Sequence, residues 1–171
     1  MSAPVKDISF EKATKLGFHY IQGANLNNTR ISMTAPVLTS IVSDSGPFHS
    51  SSYFVRFYLP VKFQEEPPSP LPELKLRPLS SESHCIAVRK FSGFARDSNI
   101  VAEAEKLGIS LSQSPWANST VKGDYTYAIA QYNSPFRFFK RVNESVVYIS
   151  HFISGVIIGK GILCYNCRGL F

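Results

Sequence analysis

Cysteine and histidine are the residues in this chain most suited to chemistry, and their spacing argues against a reaction. Cys164-Tyr-Asn-Cys167 has the spacing of half a structural zinc site. A closed site takes four ligands, and no second pair exists, because Cys85 is the one remaining cysteine. His84 and Cys85 are neighbours on a segment that reads as a strand, so their side chains go to opposite faces and cannot act as nucleophile and base. No glycine-rich phosphate loop, HExxH helix or GxSxG turn occurs. These residue types predict a protein that is not an enzyme and leave binding as the better reading.

The elements that would have to position a site are read from periodicity. Ile31, Met33, Ala35, Val37, Thr39 and Ile41 fall at every second position, the alternation of a strand with one buried face. Pro36 has no N–H for the ladder, which suits an edge, a bulge or a bend in a curved, barrel-like sheet. Tyr53 to Phe63 repeats the theme after the loop composition of Ser43 to Ser51, so a hairpin is expected. Ser2-Ala-Pro-Val-Lys-Asp7 through Lys15-Leu-Gly17 parallels Ser92-Gly-Phe-Ala-Arg-Asp97 through Lys106-Leu-Gly108, with one inserted residue. Each copy reads as a helix, Ser9 to Ile21 and Asn99 to Leu111, with an aspartate near its start and a glycine stop. In the second copy a leading strand, His84 to Phe91, comes before the helix, and Tyr125 to Tyr132 returns after it. The first copy begins where its leading strand should already have run, so that strand is expected to be missing, leaving an exposed sheet edge open to self-association.

At 171 residues the chain is expected to form one domain. That domain spans residues 1–149: a first half over 1–63, a proline-rich connector over 64–77 and a second half over 78–149. The formal charge is +6, but the cations are interspersed with acids and form no run of five, so no nucleic-acid partner is expected. Three cysteines make no disulfide framework. No secretory signal is recognisable, which predicts a cytoplasmic protein as written. Three glycosylation sequons, at Asn27, Asn118 and Asn143, would matter only if a longer parent were secreted. Residues 150–171 read as an extension; its uncharged stretch is too short for a stable membrane span, and poor packing is expected of it.

Several stretches in order resemble the SOUL or heme-binding protein family, in a plant-type form. They are Tyr20 to Asn25, Met33-Thr-Ala-Pro-Val37, Gly46-Pro47, Phe57-Tyr-Leu-Pro60, Pro67-Pro68, Val88 to Phe94, Tyr132-Asn-Ser-Pro135 and Arg141-Val-Asn-Glu144. The resemblance implies an α+β fold, a distorted antiparallel β-barrel of two pseudo-repeated halves flanked by helices. It also implies noncovalent binding of heme or another tetrapyrrole, as a carrier or buffer. Family members have a strand before this chain's first residue and lack residues 150–171, so the chain resembles a member truncated at one end and altered at the other.

A tetrapyrrole is a flat apolar disc with two propionates, so its host needs an apolar wall, aromatic faces and a nearby cation. Leu16, Phe18, Tyr20, Ile21, Met33 and Val37 are the candidate wall, with Arg30 at the rim to meet a propionate. The competing reading of such a stripe is plain core. His19 reads as a neutral surface or core histidine rather than a metal ligand. The family's axial histidine sits on the leading strand, so no metal ligand carries over. Two other readings remain: a small-molecule effector-sensing module, for which no DNA-binding helix pair is attached, and a nonfunctional fragment.

Overall fold

The computed structural model describes residues 2–5, 10, 16–42, 52–81, 84–118, 127–134, 136–149, 162–165 and 169–170. The strands are β1 (Ser2–Val5), β2 (Val37–Val42), β3 (Ser52–Phe57), β4 (Ser80–Ser81), β5 (His84–Ser92), β6 (Tyr127–Gln131), β7 (Val142–Ile149), β8 (Ile162–Tyr165) and β9 (Gly169–Leu170). The helices are α1 (Leu16–Ile21) and α2 (Asp97–Ser112), and short 3-10 turns occur at Val61–Phe63 and Pro72–Leu74. The fold is α+β. Seven strands form one antiparallel sheet in the order β1-β3-β2-β6-β7-β5-β8, and β4 pairs separately with β9.

This sheet is open, which corrects the expected barrel. Its edges are β1 and β8, and no ladder joins them among the described residues. Closure requires edge to meet edge, but the free side of β5 is already taken by β8, from His84↔Tyr165 to Ala87↔Ile162. The missing leading strand is corrected too. Ser2–Val5 runs antiparallel to β3, from Ser2↔Arg56 to Val5↔Tyr53, so a short leading strand is in place. The first three strands in sequence lie together as β1-β3-β2, and β6-β7-β5 follow them across the sheet. The halves join where β2 meets β6, from Val37↔Gln131 to Ile41↔Tyr127.

The strand expected from Ile31 begins only at Val37, directly after Pro36, where N–H donors become available again. Its burial does not alternate: Leu38, Thr39, Ser40 and Ile41 are all buried, since both faces of this central strand are covered. One face packs Ile41, Val55, Phe57 and Ile129 against Phe10, Tyr20, Ile21 and Ile100. Farther along, Leu107 and Leu111 of α2 pack on Ala87 and Ile149. Leu38, Val88, Ala128, Ala130 and Val146 cluster on the other face. The helix expected over Ser9 to Ile21 is seen as Leu16–Ile21, with Phe10 also helical and fully buried; its other residues, like the loop 43–51, lie outside the described ones. Helix α2 does not stop at Gly108 but runs on to Ser112, because Leu111 lies one turn beyond Leu107 and shares its packing.

Asp97 fastens the halves together, accepting hydrogen bonds from the Phe10 N–H at 3.3 Å and from the Tyr53 hydroxyl at 2.9 Å. The proline-rich connector docks on the first half: the Tyr20 hydroxyl donates to Pro68 O at 2.7 Å, and Leu26 N–H donates to Ser69 O at 2.8 Å. The tail expected to pack poorly carries β8 and β9, while residues 150–161 lie outside the described ones. Of the sequon asparagines, Asn143 is fully buried and donates to Gly93 O at 2.8 Å, so the folded chain presents only Asn27 and Asn118 to solvent.

Tyr20 supplies one test of this core. Burial pushes its phenol up to about 12 from an ordinary 10.0. The folded state therefore holds this proton more tightly than the unfolded one, so stability present below about pH 10 should drain away between about pH 10 and pH 12. Tyr20→Phe should flatten that decline in denaturant titrations across the window. It should also cost about 1 kcal/mol at neutral pH, through the hydrogen bond lost to Pro68 O.

Candidate functional site

A cavity of about 520 Å³ lies where the two halves meet. Its first wall comes from α1 and the segment that follows. Gly17, Phe18, His19 and Ile21 line it from the helix, and Met33, Thr34 and Val37 from the extended stretch leading into β2. That stretch is held in place by Ile31 N–H donating to Ile21 O at 2.9 Å and by the Thr34 hydroxyl donating to Tyr58 O at 2.6 Å. Upstream, the buried side chain of Asn25 organises the turn, accepting from Thr29 N–H at 2.9 Å and donating to Thr29 O at 2.8 Å. Phe57 of β3 forms the base.

The second wall comes from the other half of the chain. Phe94, Ala95 and Arg96 lie on the loop between β5 and α2, and Gln131, Asn133, Phe136 and Arg141 on β6 and the loop to β7. Gly93, at φ +84, turns the first loop, in a conformation that favours glycine. Asn99 accepts from Arg96 N–H at 2.9 Å and donates to Phe94 O at 2.8 Å, which fixes the loop against α2. The second loop is braced by Arg141, which is only 5% exposed. Its Nη1 donates to Ser134 O at 2.9 Å and Arg137 O at 2.7 Å, and its Nη2 to Asn133 O at 3.4 Å. The Arg141 guanidinium also lies 4.5 Å from the Phe94 ring centre, with Arg96 at 5.6 Å. Phe18 and Phe136, one from each wall, meet edge to face with ring centres 6.4 Å apart.

The lining is mostly apolar, with cationic and unpartnered polar groups set into it. Arg141 Nε and Gln131 Oε1 are buried without a hydrogen-bond partner, and such groups are costly unless a ligand or water meets them. Burial, and then the neighbouring Arg137 cation, lower the affinity of the Arg141 guanidinium for its proton. Among the described residues neither Arg96 nor Arg141 pairs with a carboxylate; the ion pairs seen are Arg89–Glu103, between β5 and α2, and Lys106–Glu103 within α2. An apolar ligand carrying acidic groups is what such a cavity suits.

Of the residues expected from the sequence, Phe18, Ile21, Met33 and Val37 come together in this lining. Tyr20 does not: it is fully buried in the core and serves the connector. Arg30 is exposed and outside the cavity, and the cations that line it are Arg96 and Arg141. Leu16 lies on α1, but its side chain is outside the described residues. His19 lines the cavity and is exposed, and no group of three or more metal-ligating side chains occurs among the described residues. The second wall was missed, although Tyr132 to Arg141, with three phenylalanines and three cations and no acid, was a visible signal.

Comparison with known proteins gives the family. A sequence profile described as SOUL heme-binding protein matches residues 1–148. The chain is 32% identical over 148 residues to human heme-binding protein 2, covering 84% of this chain and 70% of that protein. It is 28% identical over 141 residues to mouse heme-binding protein 1, covering 82% and 71%. With most of its length matched by the profile and both halves lining one apolar cavity, the chain belongs to the SOUL heme-binding protein family.

Proposed function

We propose that this protein binds heme or a related tetrapyrrole noncovalently in the cavity between its halves, as a carrier or buffer. The observation that carries the reading is the pairing of an apolar, aromatic-lined space of about 520 Å³ with two guanidinium groups that no described carboxylate neutralises. Phe18, Met33, Val37, Phe57 and Phe136 would cover the macrocycle, and Arg96 and Arg141 would meet the propionates. The relatives' names supply the ligand class. Iron, when bound, adds a coordination position; His19 is the one histidine on the lining, and it stands exposed. Binding therefore rests on contact area and charge more than on a metal–nitrogen bond.

Titration with hemin and with iron-free protoporphyrin, followed by absorbance, tests both parts. The two should bind with similar affinity. Met33→Ala should weaken both at any salt concentration, and Arg96→Gln should weaken both more at low salt than at high salt. No hemin binding would end the proposal. Hemin binding about tenfold tighter than protoporphyrin, with that advantage lost in His19→Ala, would assign iron ligation to His19 instead.

A further inference from the structure

We infer that the loop between β6 and β7 docks the protein on anionic phospholipid bilayers. Residues 132–141 read Tyr-Asn-Ser-Pro-Phe-Arg-Phe-Phe-Lys-Arg, with no acidic residue. Phe136, Phe138 and Phe139 are 72%, 68% and 84% exposed, a concentration of bared aromatic surface seen nowhere else among the described residues. Isolated exposed apolar residues are ordinary, but three on one short loop are not. Arg137 and Lys140, both exposed, interleave with them, which is the composition of a surface that inserts rings at the headgroup boundary and meets acidic headgroups.

The rings are held out by the fold. Arg141 clamps the carbonyls of Asn133, Ser134 and Arg137 from beneath, and Arg137 Nε donates to Phe139 O at 3.0 Å. Asn133 Oδ1 accepts from Val142 N–H at 2.6 Å, tying the loop to β7. A pre-shaped loop loses little freedom when it docks. Phe136 and Phe138 lean on Phe18 and Phe94, with ring centres 6.4 and 6.3 Å apart, yet keep most of their surface bare, and exposed rings interleaved with cations suit a fluid apolar phase, which needs no complementary pocket, better than a protein partner. Because Phe136 also borders the cavity, docking would set the cavity opening at the bilayer surface. Phe138 and Phe139 do not line the cavity, so this inference stands or falls separately from tetrapyrrole binding.

The test is flotation of the full chain with phosphatidylcholine vesicles, with and without phosphatidylserine. The wild type should float with the anionic vesicles, less so at high salt. Phe138→Ser combined with Phe139→Ser should lower that partitioning about tenfold or more. Arg137→Gln combined with Lys140→Gln should lower it about fivefold per cation on anionic vesicles and leave neutral ones unaffected. Ile109→Ser removes an exposed apolar residue from α2 and should change nothing. Failure of the wild type to float overturns the inference, as does equal loss with Ile109→Ser. A concentration-dependent dimer abolished by the paired phenylalanine change, without vesicle binding, would also overturn it and identify a second copy as the occupant.

Discussion

Arg141→Ala should lower unfolding free energy by about 3 kcal/mol, because it withdraws a buried, charged donor from the carbonyls of Asn133, Ser134 and Arg137 together. Those carbonyls belong to one loop, so the damage should be concentrated there. The Phe94 ring loses its nearer cation, and the Phe136 side of the cavity loses its brace. Hemin affinity should fall with stability, and Arg141→Lys should rescue neither fully, since an ammonium lacks the planar fork that reaches separate carbonyls. Chemical denaturation with parallel hemin titration is the measurement. Wild-type stability in Arg141→Ala would show that water replaces the guanidinium at no cost, and the loop would then not depend on it.

The same change, glycine to alanine, should have opposite signs at two helical positions. At Gly17 of α1 an added Cβ would fall on the edge of the Phe57 ring, 2.6 Å from Cδ1 and closer still to Cε1. The ring cannot yield freely: it is buried and packs on Tyr20, with ring centres 5.9 Å apart. Overpacking of this kind costs about 2 kcal/mol, more than alanine gains in helix propensity. If the ring moves, it moves at the base of the cavity, so hemin binding should weaken as well. At Gly108 of α2 nothing lies within 4 Å of the added atom. There Gly108→Ala should stabilise by about 0.5–1 kcal/mol with binding unchanged. Paired melting curves decide it, and a stabilised Gly17→Ala would mean that α1 is free to shift away from β3.

Much of the local structure was legible because it rests on short-range periodicity. The strand expected over His84 to Phe91 is β5, and the helix expected over Asn99 to Leu111 lies inside α2. Local rules failed where distant packing outweighed them. Gly108 was read as a stop signal inside that expected helix, yet the helix passes it, because Leu111 is buried against the sheet and that burial outweighs the propensity cost of one internal glycine. Met33 and Val37 were expected to share a strand face with Ile41; Pro36 delays the ladder to Val37 and leaves Met33 on the cavity wall.

What the sequence determined by itself was the apolar character of the site and its first wall, since Phe18, Ile21, Met33 and Val37 are close enough along the chain for periodicity to group them. The composition of Tyr132 to Arg141 was visible in the sequence, but that it forms a second wall was decided by tertiary structure. The ladder between β2 and β6 sets Val37 beside Gln131, bringing together residues about a hundred positions apart, and so carries Phe136 and Arg141 to the cavity that α1 also lines. The same pairing decided which cations line the cavity. Arg30 is near the first wall in sequence but points to solvent, whereas Arg96 and Arg141 arrive from the other half on loops fixed by Asn99 and by Arg141's own bonds. Strand register is a long-range choice, settled by the burial of both sheet faces at once, and no window of local sequence contains it.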